Sequence, residues 1–257
     1  MKNNHKIVLD KNGHLILKKF NKNIIKKLEI FVERFIYSKL NIWMDKNILK
    51  IKNLKRTNLR KKFYNFYIQS NKKKIYRNPY YFFYDKVIFN LITNKKLIEI
   101  VKTLLKSNTF YLSGLFNIRF AFPHCNDYLA KTHNDIDSFL NLETKKKSID
   151  PKMITLWIPL NNINKKNSGE LIFLKPYKRL FLNKNDLLFF DSHLFHKSAK
   201  NLTNRTRWAI DLRFEAPDEN GNIFEITKKQ GFKILDNNKI NNDFLKFLKK
   251  RGRKFFN

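Results

Sequence analysis

Residues 131–137 of the chain read KTHNDID, so a His and an Asp stand two positions apart. An alternation of apolar and polar residues between Phe116 and Phe122 precedes them and predicts a β-strand. Side chains at positions i and i+2 of a strand point to the same face. A strand that continues through this stretch would therefore direct His133 and Asp135 to one point, where both could bind a metal ion.

A second histidine follows a second predicted strand. Residues 185–196 read NDLLFFDSHLFH, a polar turn that leads into a buried strand and ends at His196. Two neutral imidazoles and one carboxylate on one face of Fe(II) leave positions open on the other face, where a bidentate 2-oxo acid and then O₂ can bind. Arg207, eleven positions after His196, opens another strand-like run and suits the far carboxylate of such an acid, because its planar fork binds carboxylates bidentately.

Neighbouring residues compete for these roles. Asp137 would share a strand face with Asp135, and His193 would lie on the face opposite His196, so only one of the two histidines should bind the metal. Arg205 competes with Arg207 for the carboxylate. His124 and Cys125 have no partners at zinc-finger spacing, and we interpret His124 as a loop residue.

Further motifs follow in a recognisable order between Phe116 and Phe214. The His-x-Asp pair is followed by ITLWIPLN at 154–161, NSGELIFL at 167–174, FDSHLFHKS at 190–198 and then Arg207. This order resembles the phytanoyl-CoA dioxygenase-like branch of the Fe(II)/2-oxoglutarate-dependent oxygenases. The turn before the second His strand departs from the family pattern, because Asn185 stands where the family usually has Gly.

The resemblance implies a role for each matched residue. His133, Asp135 and His196 would be the iron ligands, Arg207 with Ser198 beside it would bind the distal carboxylate of 2-oxoglutarate, and Trp157 and Thr155 would line the cosubstrate pocket. Arg119 or Lys131 is a further candidate to face the cosubstrate. The implied activity is hydroxylation with 2-oxoglutarate and O₂ as cosubstrates. Related halogenases lack the carboxylate that Asp135 supplies.

The predicted architecture is an all-β core with helical additions, a double-stranded β-helix of the jelly-roll or cupin type. We expect one domain over residues 1–257. Residues 1–110 would form a mainly helical N-terminal buttress, 111–216 the β-helix core, and 217–257 a basic C-terminal extension. An aromatic cluster at 78–84 could wall a substrate pocket, although packing between helices explains it as well.

Composition limits the partners. The formal net charge of +33 indicates attraction to polyanions, but heavy use of Lys, Asn, Ile and Phe throughout is typical of codon bias in an AT-rich genome. Nucleic acid is not the favoured partner, because no nucleic-acid motif accompanies the basic clusters. The absence of an apolar run near twenty residues argues against a membrane span. The single cysteine and the lack of a secretory signal predict a cytoplasmic protein.

The substrate is not encoded in any motif. The positive charge favours a small anionic molecule. The sequence leaves open a non-catalytic jelly-roll binding protein, an oxygenase that acts on nucleic acid or protein, and a cupin enzyme that uses no 2-oxo acid. It does not determine the oligomeric state.

Overall fold

The computed structural model describes residues 9–49, 59–72, 85–113, 116–142, 151–166, 169–230 and 232–234. The aromatic cluster at 78–84 and most of the predicted C-terminal extension lie outside these residues. Within the described part of the chain, no helix is long and apolar enough to cross a membrane.

The described helices lie mostly before the strands of the core. They are α1 (Lys22–Asp45), α2 (Leu59–Gln69), α3 (Lys86–Ile92), α4 (Lys95–Leu105), α5 (Asp135–Leu140) and α6 (Glu225–Gln230). α1 begins where the side chain of Asn21 accepts hydrogen bonds from the backbone N–H groups of Asn23 and Ile24. One stripe of α1, which includes Ile25, Leu28 and Val32, is buried, because a helix with apolar residues every three or four positions presents them to one side.

The strands form two antiparallel sheets. Their bounds are β1 (His14–Leu17), β2 (Phe110–Leu112), β3 (Asn117–Ala121), β4 (Lys152–Pro159), β5 (Leu171–Leu174), β6 (Tyr177–Leu180), β7 (Leu187–Asp191), β8 (His196–Ser198), β9 (Arg207–Ala216) and β10 (Phe232–Ile234). The large sheet has the order β1-β7-β4-β9-β2-β10, with β3 also paired to β9, and the small sheet has the order β6-β5-β8. The predicted β core with helical additions is therefore present as two antiparallel sheets with six described helices.

β9 shows why the large sheet lies between two layers. Trp208, Ile210, Leu212 and Phe214 point to the face that packs against the helices. Burial of apolar side chains of this size stabilises a fold by roughly 1.5–3 kcal/mol each. The alternate residues face the other way, and Ala209 among them packs with residues of both sheets. The small sheet therefore covers the inner face of the large one.

The first and last described strands stand at the two ends of the large sheet's strand order. β1 pairs with β7, and β10 pairs with β2. Apolar residues at 7–9 and 15–17 on either side of residues 10–13 predict an N-terminal hairpin. The second arm lies in β1, and the first falls largely outside the described residues. The division of a single domain into buttress, core and extension stays a prediction.

Candidate metal centre

Two histidines far apart in sequence meet at an isolated antiparallel bridge. The backbone N–H of His133 donates to the carbonyl of His196 at 3.0 Å, and the N–H of His196 donates back to His133 at 2.8 Å. Because directly opposed residues of an antiparallel pair project to the same side, the two imidazoles lie next to each other, with ring centroids 4.3 Å apart and ring planes tilted by 50°. The bridge extends the small sheet beyond β8 and positions both rings.

Asp135 reaches the same point from a helix, and the strand predicted through it is wrong. Asn134 caps α5 by accepting a hydrogen bond from the N–H of Asp137 at 2.8 Å, and Asp135 is the first helical residue. An Asn cap followed by acidic residues favours a helix start, since both satisfy the free N–H groups there. Asp137 is consequently exposed on the far side of α5 and does not share a face with the buried Asp135.

The three side chains form a cluster with metal-binding geometry. One ligand atom from each of His133, Asp135 and His196 lies within 4.8 Å of the others. In the described ranges this is the one such group of three or more His, Cys, Asp or Glu residues. The structure thus brings together the three residues that the sequence suggested as metal ligands.

Both imidazoles are oriented by backbone carbonyls. Nδ1 of His133 lies 2.7 Å from the carbonyl oxygen of Lys131, and Nδ1 of His196 lies 2.8 Å from that of Leu194. A carbonyl oxygen only accepts, so Nδ1 carries the proton and Nε2 keeps a lone pair. Burial lowers the pKa of His196 to about 4, which keeps this imidazole neutral at pH 7.

Asp135 stays ionised although it is buried. Burial raises its pKa, but the Arg213 guanidinium, the neighbouring His196 and the hydrogen bond from Thr155 together hold the pKa well below its usual value. Nη2 of Arg213 donates to Oδ1 at 2.6 Å, and Oγ1 of Thr155 donates to Oδ2 at 2.6 Å. Each oxygen keeps one further lone pair, so the carboxylate is oriented and can still bind a cation.

Arg213 was missed in the sequence. It belongs to a chain of charges on the inner face, in which Asp211 accepts from Nη2 of Arg213 at 3.1 Å and from Nε of Arg119 at 2.8 Å. The available signal was the alternation of Arg207, Asp211 and Arg213 with apolar residues along β9. Such a pattern usually indicates a solvated face, but here the small sheet covers it.

Arg207 lies on the same inner face, and some of its N–H donors are unpaired among the described residues. Its side chain is 3% exposed, and its Nε and Nη1 have no hydrogen-bond partner among the described residues. Burial, followed by the nearby charge of Arg119, lowers its pKa to about 10, so it remains a cation at neutral pH. A buried guanidinium with unpaired donors fits an anionic ligand. Arg205, its competitor, is exposed.

The other residues suggested from the sequence lie around this cluster. Trp157 is buried on the inner face of β4, and its ring centroid is 5.6 Å from the guanidinium carbon of Arg207. Ser198 is half-buried in β8, opposite Leu171. Thr155 contacts Asp135 directly. Gly169 has φ +77°, and a Cβ there would lie 3.7 Å from Nε of Arg207.

His193 and His124 lie outside the cluster. His193 is exposed in the turn after β7, where its Nδ1 lies 2.9 Å from Oδ1 of Asp191. It lines a cavity of about 750 Å³ between the end of α4 and the start of β4, which none of the three clustered residues lines. His124 is exposed in a loop, with φ 51°.

No protein-family model and no curated protein matches the sequence. The structure is similar to EctD from S. alaskensis with 2-oxoglutarate and 5-hydroxyectoine, at 14% identity and a TM-score of 0.52 over 80% of this chain and 73% of that chain. AviO1 from Streptomyces viridochromogenes Tue57 matches 83% of this chain and 93% of its own, at 13% identity and a TM-score of 0.49. The non-heme monooxygenase ThoJ matches at 11% identity and a TM-score of 0.42, over 51% of this chain and 55% of its own.

The fold and the candidate site can now be stated together. The chain shares the fold of EctD, and between its sheets it carries two histidines and one carboxylate arranged as ligands for a single metal ion.

Proposed function

We propose that this protein is a non-haem Fe(II)/2-oxoglutarate-dependent dioxygenase, similar to the phytanoyl-CoA dioxygenase-like enzymes, that hydroxylates a small organic substrate. The observation that carries the proposal is the cluster of His133, Asp135 and His196, whose two Nε2 lone pairs and one carboxylate converge. The fold shared with EctD, whose structure contains 2-oxoglutarate and 5-hydroxyectoine, supports it.

The donor set fits Fe(II). Two imidazoles and one carboxylate with no thiolate are the ligands of the facial iron site, which leaves positions for cosubstrate and O₂. Iron bound there supplies the redox chemistry that activates O₂ for oxidation of a C–H bond. A closed structural zinc site would use four protein ligands, and the described cluster offers three.

The chain's own residues hold and orient the reactants. The carbonyls of Lys131 and Leu194 fix the two imidazoles, while Arg213 and Thr155 fix the carboxylate of Asp135. Arg207, with Ser198 on β8 beside it, would bind the distal carboxylate of 2-oxoglutarate, and Trp157 would wall the cosubstrate. Burial of Arg207 strengthens its interaction with a carboxylate, because little water competes there.

The closure of the two sheets, the domain organisation and the cellular location belong to the same proposal. The two facing sheets would close into the double-stranded β-helix of this enzyme class, and the chain would act as one domain in the cytoplasm. The composition, with its single cysteine, supports that location.

Anaerobic titration with Fe(II) and then 2-oxoglutarate tests the function. The wild type should develop the weak visible charge-transfer band of the chelate. His133→Ala should abolish the band, Arg207→Ala should raise the 2-oxoglutarate concentration it requires, and Arg205→Ala serves as the matched control. A folded wild-type protein that binds Fe(II) and 2-oxoglutarate without a band, or binds neither, would contradict the proposal.

A further inference from the structure

Three arginines lie on the inner face of the large sheet, and solvent reaches one of them more readily than the others. Arg207 and Arg213 are each 3% exposed, whereas the side chain of Arg119 is 25% exposed. Among the described strands, β3, which carries Arg119, pairs with β9 alone. Of the three arginines, Arg119 is therefore the most accessible to a molecule from solvent.

Arg119 is anchored at one end and free at the other. Its Nε donates to Oδ2 of Asp211 at 2.8 Å, and Asp211 is itself held by Arg213. The Nη1 and Nη2 groups of Arg119 make no hydrogen bond with any described residue. A guanidinium fixed through Nε presents its remaining N–H groups to an oxyanion with little loss of side-chain freedom.

The register places Arg119 beside the inner row of β9 that carries Arg207 and Asp211. Arg119 is the partner of Ala209 across the strands, and on the inner row of β9 Ala209 has Arg207 on one side and Asp211 on the other. The charge of Arg119 contributes, after burial, to the lowered pKa of Arg207. Arg119 therefore borders the space that the cosubstrate and the metal share.

Accessible donors, rather than a surplus of charge, distinguish Arg119. The three arginines of this face are matched by three carboxylates, Asp135, Asp211 and the buried Glu215. Arg213 donates to both Asp135 and Asp211, whereas Arg119 is anchored to Asp211 through Nε. The outer fork of Arg119 is therefore the part of this face that a second anion can reach.

We propose that Arg119 binds an oxyanion group of the organic substrate, a carboxylate or a phosphate or sulfate ester, so that the substrate is a small anionic molecule. This inference rests on the proposed function, because it assigns Arg207 to 2-oxoglutarate and leaves Arg119 to a second molecule. Arg207, with two unpaired and buried donors, serves the cosubstrate, and the more exposed fork of Arg119 serves the second molecule.

Sulfate is a suitable probe because it is itself an oxyanion, like the proposed substrate group, and coordinates Fe(II) only weakly. The anaerobic wild-type complex with Fe(II) and 2-oxoglutarate is titrated with sulfate, against NaCl of equal ionic strength, and the visible band is followed. Sulfate should perturb the band saturably, and Arg119→Gln should weaken sulfate binding by about ten-fold or more with 2-oxoglutarate affinity unchanged. Arg119→Lys, which keeps the charge, should retain part of the affinity.

Arg34→Gln is the matched control. It also removes an arginine paired with an aspartate, Asp85, and should leave sulfate binding intact. Sulfate binding that is absent, or equal in wild type and Arg119→Gln, would overturn the inference. A loss of 2-oxoglutarate affinity in Arg119→Gln would also overturn it, by assigning Arg119 to the cosubstrate. If no chelate forms in the wild type, the proposed function fails, and calorimetric titration of the metal-free protein with sulfate still decides the role of Arg119.

Discussion

At the scale of single residues, the two candidate histidine ligands are oriented by the same kind of hydrogen bond. Each imidazole is held by the carbonyl two positions earlier in the chain, Lys131 for His133 and Leu194 for His196. The same tautomer is thereby selected twice, and both Nε2 atoms become acceptors for a cation. His193 has a similar partner at Nδ1, the carboxylate of Asp191, but it is exposed and lies outside the cluster of three candidate ligands.

Replacement of either ligand histidine should therefore remove metal binding. His133→Ala and His196→Ala should each weaken binding of Fe(II) or Co(II) by at least about 100-fold, because two remaining ligands do not hold a divalent ion against water. Anaerobic calorimetry measures the affinity. His193→Ala is the matched control and should bind as the wild type does. Equal losses in all three variants would contradict the assignment.

Arg213 offsets the negative charges of two buried carboxylates, so its removal should lower the stability of the protein. In metal-free Arg213→Met, the free energy of unfolding should fall by about 3–5 kcal/mol, because Asp135 and Asp211 lose a shared cation. A divalent metal should restore part of the loss, so metal should stabilise this variant more than it stabilises the wild type. Urea unfolding with and without Mn²⁺ measures both quantities.

Arg34→Met is the control for Arg213→Met. The Arg34–Asp85 pair has its arginine side chain 52% exposed, and such pairs contribute about 1 kcal/mol or less. Its loss should leave stabilisation by metal unchanged. If metal stabilised the wild type and Arg213→Met equally, Arg213 would not be acting on the metal ligand.

Acid should destabilise the metal-free protein through His196. The unfolded chain binds a proton at this residue near the ordinary histidine pKa of 6.5, and the folded protein binds it only near a pKa of about 4, because burial opposes the charge. Protons therefore favour the unfolded chain, and stability that is complete above the unfolded pKa is lost as the pH falls between these values. The loss should amount to roughly 3 kcal/mol.

Urea unfolding across this pH interval measures the effect. His196→Gln should flatten the pH dependence, since glutamine does not titrate. His124→Gln removes an exposed loop histidine and should leave the wild-type curve in place. A pH dependence unchanged by His196→Gln would show that other groups cause it.

At the scale of elements, the start of α5 determines where Asp135 points. Asn134→Ala removes the cap of α5 and should lower the free energy of unfolding by about 1 kcal/mol. It should also weaken metal binding by about ten-fold, because Asp135 begins the helix that the cap holds. Asn134→Ser should restore both, since serine also caps helices.

The matched control for the α5 cap lies on another helix. Asn94 caps α4 in the same way, by accepting from the N–H of Leu97 at 3.2 Å. Asn94→Ala should cost similar stability without a change in metal affinity. Affinity that stayed at the wild-type level in Asn134→Ala would separate the cap from the metal centre.

At the scale of the whole molecule, the net charge of +33 sets the response to salt. Like charges on a compact surface repel, and the range of that repulsion falls to about 10 Å at about 0.1 M salt. The free energy of unfolding in urea should therefore rise as NaCl increases from about 0.05 M to about 0.5 M. Sucrose in place of NaCl controls for general solvent effects. A flat or falling salt curve would show that repulsion does not limit stability.

Several parts of the fold and site could be predicted from local pattern. Apolar residues at helical spacing predict helices from Asn23 to about Trp43 and from Thr93 to Leu105, which lie close to the observed α1 and α4. The strand-like run that opens at Arg207 lies within β9. The spacing of His-x-Asp and His196 indicated the residues that converge between the sheets, and Arg207 is buried on the same inner face. Local pattern failed at Asp135, where the i, i+2 argument assumed a strand and the Asn134 cap started a helix instead.

The sequence by itself determined the types of donor and the apolar face of each strand, because these depend only on side-chain chemistry and backbone periodicity. Tertiary structure alone decided which of the competing residues are buried. It buried His196 and Arg207 while it left His193 and Arg205 in solvent. It also brought Arg213 to Asp135 across 78 positions of sequence. The physical reason is that such contacts depend on how one sheet covers another. The periodicity of a single strand does not determine which distant residues it will contact.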